Sequence, residues 1–228
     1  MKKNNTMSIH LDELADIEPI TKNQEKVFKY WEEGYNMILS GSAGTGKTFL
    51  GMYLALRELI ENPDIYRSIT IMRSIVPTRD GGFLPGTKDE KADPLNAPYK
   101  GICHELFGYD QAYQKMVTQK KIRFETTSYI RGCTYDQTII LVDEMQNLNF
   151  HELDSVITRI GKDCKIIFCG DYLQSDFKYN DEKEGILKFM TIVEQMRFFR
   201  VVNFGWQDIV RSDLVRDYIM TKEMLRIG

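Results

Sequence analysis

No stretch of about 18 consecutive apolar residues occurs in the chain, so no helical membrane span is expected. The basic start, Met1-Lys2-Lys3, is followed by neither an apolar core nor a small-residue cleavage site, so no export signal is read there. Cysteine is scarce, and Cys103, Cys133, Cys164 and Cys169 form no C-x-x-C pair. Cys164 and Cys169 flank an apparent strand at an odd separation, which sends them to opposite faces and argues against a shared metal. All four are expected to be reduced thiols in a cytoplasmic protein. The three histidines, His10, His104 and His151, show no ligand spacing. Nor is there an excess of one charge. With 30 basic and 33 acidic side chains the net charge is −3, which excludes a broadly basic nucleic-acid coat and leaves room for a local basic groove. Internal repeats, low-complexity tracts and an N-K-x-D guanine motif are absent as well.

What remains is an ordinary globular composition. At 228 residues and 43% hydrophobic content, the chain is long enough for one well-packed domain and too short for two full α/β motor domains. Residues 1–19 are polar and end in Glu18-Pro19, so they are expected to be a loosely ordered lead-in to a domain at 20–228. Helices are expected over 21–33, 48–60, 102–117, 150–160, 185–196 and 213–225. Strands are expected over 36–40, 68–73, 121–127, 138–142, 165–169 and 199–204. Residues 74–100, rich in Pro and Gly, read as a long loop of the kind that carries function. Alternation of strands and helices implies an α/β fold: one mostly parallel sheet flanked by helices on both faces.

The sharpest motif is Gly41-Ser42-Ala43-Gly44-Thr45-Gly46-Lys47-Thr48, a full match to G-x-x-x-x-G-K-[ST] between a strand and a helix. Its glycines let successive backbone N–H groups turn toward phosphate oxygens, and the following helix adds the positive end of its dipole. Lys47 has the reach for the β- and γ-phosphates of a nucleotide such as ATP, and Thr48 offers a hydroxyl to Mg²⁺.

The strand at 138–142 ends in Asp143-Glu144. Ligands of open α/β sheets sit beyond the carboxyl ends of the strands, so Asp143 is placed near the Mg²⁺ opposite Thr48. Glu144 points elsewhere and is suited to take a proton from an attacking water. The strand at 165–169 leads into Gly170-Asp171, and Gln174 just beyond has the donor and acceptor groups to orient that water or bind the γ-phosphate. Gln24 carries two readings. Thr21 and Gln24 fit a helix capping box, and the Gln24 amide also matches the N6/N7 edge of adenine.

Together these residues resemble the PhoH family, ATPases related to superfamily 1 helicases. The resemblance runs from about Ile20 to Tyr218 and rests on Thr21 to Gln24, on the phosphate loop, and on Arg73 with Val76-Pro77 and Gly82-Phe83-Leu84-Pro85-Gly86. It continues through Tyr129-Ile130-Arg131-Gly132 before Val142-Asp143-Glu144-Met145-Gln146-Asn147, Thr158-Arg159-Ile160-Gly161 before Gly170-Asp171 and Gln174, and Asp208-Ile209-Val210-Arg211-Ser212. It implies hydrolysis of ATP with Mg²⁺ on a single RecA-like P-loop NTPase domain. It also implies rings of subunits, a homo-oligomer read as a hexamer, and links to RNA or single-stranded DNA. The loop between Pro77 and Gly82 is shorter than the family's, and the chain has no room for a fused nuclease domain.

The resemblance makes Arg211 the first candidate for the cation on the γ-phosphate, with Arg159 in reserve. A single domain supplies only one side of the nucleotide, so Arg211 is expected to act in trans, from a neighbouring copy docked head to tail. The alternative for Arg211 is a surface salt bridge to Asp208, Asp213 or Asp217. Lys120, Lys121, Arg123 and Arg131, interleaved with aromatics, suggest a track for a single strand, against the plainer reading of a solvated edge strand. Two other functions compete with the ATPase: a small-molecule kinase, and a ring-assembly module that binds nucleotide with incidental turnover.

Overall fold

The computed structural model describes residues 9–74, 88–127, 132, 134–172 and 180–225. Among the described residues the sheet has six strands: β1 (Asn36–Gly41), β2 (Ser68–Arg73), β3 (Ile122–Thr126), β4 (Thr138–Val142), β5 (Lys165–Gly170) and β6 (Phe199–Phe204). Their spatial order is β3-β2-β4-β5-β1-β6, and every pair is parallel. The expected mostly parallel sheet is thus parallel throughout its described strands. β4, β5 and most of β1 are buried on both faces, which is why they read as continuous apolar runs.

The described residues form seven α-helices: α1 (Lys22–Glu32), α2 (Lys47–Glu61), α3 (Lys88–Phe107), α4 (Ala112–Thr118), α5 (Phe150–Ile157), α6 (Asn180–Gln195) and α7 (Asp213–Met224). Alternate strand residues feed two cores. Leu39, Ile69, Ile71, Leu141 and Ile167 pack with α1, α2, α3 and α4, whereas Ile38, Met72, Ile140, Val142 and Phe168 pack with α5 and α6. Cys169 joins the first core and Cys164 borders the second, the opposite facing expected from their spacing. No helix among the described residues is long and apolar enough to cross a membrane.

Three expectations change. The segment 74–100 is not all loop, because α3 begins at Lys88 and runs through Pro94 and Pro98. Its buried stripe, Tyr99, Cys103 and Leu106, recurs at helical spacing, and Pro98 lies on the exposed side. The single helix expected over 102–117 is two. Gly108 sits at φ +77 and its N–H bonds His104 O, a left-handed C-terminal stop that sequence periodicity does not register. Finally, the polar lead-in is anchored from Ile9 onward: Ile9 and Leu14 are buried, Ala15 N–H donates to Leu106 O at 2.8 Å, and Ile17 N–H donates to the Tyr53 hydroxyl at 3.3 Å.

Candidate nucleotide site

The phosphate loop leaves β1 at Gly41. Here φ is +124, and a Cβ would stand 1.9 Å from Phe204 O in the neighbouring strand, so only glycine fits. The loop closes on itself through Thr45 Oγ1, which donates to Ser42 O at 2.9 Å, and α2 starts behind Gly46. Gly46 offers no side-chain acceptor and the first turn of α2 holds no acid, so the helix presents its unpaired N–H groups and positive dipole end to the loop. Lys47 folds back meanwhile. Its Nζ donates to Gly41 O at 2.6 Å and Ser42 O at 2.7 Å. Burial lowers the Lys47 pKa from its ordinary value, opposed by the nearby Cys169, Asp171, Glu144 and Asp143.

β4 delivers the acids. Asp143 is buried, and its Oδ1 accepts a hydrogen bond from Thr48 Oγ1 at 2.7 Å across 95 residues of sequence. Its other oxygen accepts from the Tyr99 hydroxyl at 2.8 Å. Glu144 adopts a left-handed backbone, φ 52 and ψ 46, unusual for a residue with a side chain and a form of strain that gathers at functional sites. Gln146 holds this corner together: its Nε2 donates to Glu144 Oε2 and its Oε1 accepts from Asp171 N at 3.0 Å. The set of donors fits Mg²⁺, since a hydroxyl and a carboxylate oxygen are hard ligands of the kind it takes beside phosphate oxygens and water.

Gln24 is buried at the start of α1. Thr21 Oγ1 accepts from Gln24 N at 3.3 Å, as in a capping box, but Gln24 Oε1 accepts from Ile20 N at 2.9 Å, one residue before the cap. The neighbouring Asn23 donates to Asn203 O and to Asp208 Oδ2, which ties this helix end to the strand beside the phosphate loop.

The C-terminal segment lies across the loop. Val210 N–H donates to Gly44 O at 3.0 Å, and a Cβ on Gly44 would meet Arg211 Cγ at 3.0 Å and Ile219 Cδ1 at 3.2 Å. Arg211, expected to arrive from a second copy, therefore lies against the loop of its own chain, pinned there by the Val210 bond. None of Asp208, Asp213 or Asp217 pairs with it among the described residues; Asp208 instead accepts from Asn23 Nδ2 and Gly205 N. Glu223 of α7 accepts from Ser42 Oγ at 3.1 Å and from Trp206 Nε1, which sets a carboxylate beside the phosphate loop. Arg159 lies elsewhere. Its carbonyl accepts from Tyr135 N just before β4, at the end of the sheet opposite the phosphate loop.

The basic stretch is not gathered into one exposed track. Lys120 is exposed on the turn before β3, Lys121 is only 4% exposed, and Arg123 projects from the edge strand with a bond to Ser68 Oγ at 3.0 Å. Gln174, Arg131, Cys133 and the motifs at 76–77, 82–86 and 129–130 lie outside the described residues. The sequence assigns no role to Tyr99 or Glu223, and it marks Gln146 only as part of the stretch Val142 to Asn147 that carries the resemblance.

A wholly parallel sheet with a phosphate loop after β1 and an acid pair after β4 defines a P-loop nucleotide-binding domain of RecA-like form. The family model for PhoH-like protein matches residues 16–223, and the chain belongs to that family. It is 35% identical over 163 residues to Protein PhoH2 of Bacillus subtilis, covering 70% of this chain and 36% of that protein. It is 32% identical over 183 residues to a PhoH-like protein of Synechocystis, covering 80% of this chain and 55% of that one. The chain thus spans about half the length, or less, of these curated relatives. Among solved structures, the large terminase of a thermophilic bacteriophage, in complex with ADP, superposes with a TM-score of 0.53 at 13% identity. The match covers 90% of this chain and 50% of that one, a likeness of fold.

Proposed function

We propose that this chain hydrolyses ATP to ADP and phosphate with Mg²⁺, and couples turnover to RNA or single-stranded DNA. The observation that carries the reading is the bond from Thr48 Oγ1 to Asp143 Oδ1 at 2.7 Å, because it brings the hydroxyl of the phosphate loop and the carboxylate of β4 to one point. Thr48 and Asp143 would hold Mg²⁺ there, and bound Mg²⁺ would neutralise charge on the phosphate oxygens.

The chain's own groups do the rest. The unpaired N–H groups of the loop and of α2 bind the phosphates. Lys47 turns from Gly41 O and Ser42 O, its partners within the loop, to phosphate oxygens close by. Glu144, steadied by Gln146, accepts the proton of the attacking water. Arg211 meets charge developing on the γ-phosphate from beside Gly44 of its own loop. Gln174 orients the water, and Gln24 reads the adenine edge with its amide. Hydrolysis is preferred to phosphoryl transfer because the acid at Glu144 suits water activation.

The nucleic-acid half of the proposal rests on the exposed cations Lys120 and Arg123 at the edge strand. The oligomer rests on α7. This helix buries none of its residues, and Leu214, Tyr218 and Leu225 recur on one exposed face, at 80%, 68% and 63% exposure, suited to a second copy in a ring.

Phosphate release from ATP without an added acceptor tests the chemistry, and its stimulation by single-stranded RNA or DNA tests the coupling. Binding that weakens steeply with salt is expected if the cations track phosphates; salt-independent or absent binding would remove the coupling.

A further inference from the structure

We infer that Tyr99, on α3, is a positioning residue for Asp143 and thereby sets the affinity of the site for Mg²⁺. The inference rests on the ATPase reading and adds a residue that no motif marks. Tyr99 is 0% exposed, and its ring packs against Phe124 at 6.0 Å between centroids. Its hydroxyl donates to Asp143 Oδ2 at 2.8 Å, while Thr48 donates to Oδ1 at 2.7 Å. Each oxygen of a buried carboxylate is thus held by one neutral hydroxyl from a different helix. A phenol has a single proton to give, and here it goes to Asp143. The positive charge of Arg73, at the end of β2, acts on the phenol from nearby.

Asp143 is thus held from α2 and α3 at once, with the charge of Arg73 beside the phenol. β2 and β4 are neighbours in the sheet, and Asp143 N–H donates to Met72 O at 2.9 Å, so the backbone beneath the carboxylate is fixed. The two carboxylate oxygens are equivalent, so the Tyr99 bond acts by fixing the plane of the group in which one oxygen meets Thr48. Without the phenol, Oδ2 loses its donor in a buried setting, and the carboxylate is free to turn away from the position a cation needs. Tyr99 touches neither nucleotide nor water in this scheme. It acts only through Asp143.

The test is equilibrium binding of ATP, first in EDTA and then with Mg²⁺ titrated in, on wild type, Tyr99→Phe and Arg73→Gln. Tyr99→Phe keeps the ring and its packing and removes one oxygen. ATP binding in EDTA is expected to match wild type, whereas the Mg²⁺ concentration that gives half of the metal-dependent gain rises about 10- to 100-fold, the range for groups that orient a metal ligand. Arg73→Gln is expected to shift it in the same direction by less, and it carries the test if Tyr99→Phe does not fold. Binding of Mn²⁺ with ATP, followed by electron paramagnetic resonance, reports the same loss without turnover. An unchanged Mg²⁺ midpoint in both variants, with wild type showing a clear metal-dependent gain, overturns the role of Tyr99 and leaves the ATPase reading standing. A wild-type protein whose ATP binding ignores Mg²⁺ overturns both.

Discussion

The nucleotide site has two sides built in contrasting ways. On one, Gly41, Thr48 and Asp143 sit at the ends of buried strands or the start of a buried helix, and each is fixed by partners in the sheet or by bonds to other elements. On the other, residues 206–225 cross the phosphate loop through few bonds, Val210 to Gly44 and Ser42 to Glu223 among them, and α7 buries none of its residues. The contrast separates chemistry from control. Groups that must hold position to a fraction of an ångström belong on the sheet. A segment held by few bonds can move for little free energy, and it carries Arg211 and Glu223 to the loop.

The largest expected effect tests whether the exposed side is merely a cover. Arg211→Ala should lower turnover about 10³–10⁵-fold while ATP still binds, the range for a cation on a transferring phosphoryl group. Wild-type turnover would return Arg211 to the surface. Mixing Arg211→Ala with Lys47→Ala protein sharpens this further. Since Arg211 lies on its own loop, no mixed assembly gains a complete site, and activity should stay absent; recovery would mean that the arginine serves a neighbour. On the buried side, Glu144→Gln should cost about 10²–10⁴-fold in turnover with ATP affinity retained, as measured by nucleotide titration.

Smaller effects probe the rigidity of each side. A Cβ on Gly51 of α2 would stand 2.9 Å from Leu141 Cδ1 and 3.2 Å from Cys169 Sγ, both in the core. Gly51→Ala should therefore lower stability by about 1–2 kcal/mol in denaturant melts, overpacking outweighing the helical preference of alanine. Glu223→Gln removes a negative charge beside the phosphate loop, so ATP should bind several-fold more tightly, about 1 kcal/mol, at unchanged fold stability. Weaker binding would make Glu223 a part of the site instead of a competitor for it.

Legibility in the sequence follows the same division. The phosphate loop, Asp143-Glu144 and all six strands could be read because each is a local pattern: glycine spacing, an acid pair after an apolar run, a short β-rich segment. Tyr99 could not, because its partner Asp143 is 44 residues away and the pairing exists only once α3 packs on the sheet. Glu223 is 181 residues from Ser42 and sits on a helix whose own pattern says nothing about what it covers. The start of α3 was hidden by Pro94 and Pro98, where burial of Tyr99 and Cys103 overrides a local preference against helix. Arg211 was identified by resemblance, and its position on its own loop became visible only in three dimensions.

The central claim is that Lys47, Thr48 and Asp143 form one site for hydrolysis of ATP. Phosphate release from ATP, with and without Mg²⁺, in wild type and in Lys47→Ala tests it most directly. The account predicts steady, Mg²⁺-dependent release by wild type without any added acceptor, and a loss of about 10²-fold or more in Lys47→Ala, as when one donor to the reacting charge is removed. Equal release by the two proteins, or none by wild type, would contradict it.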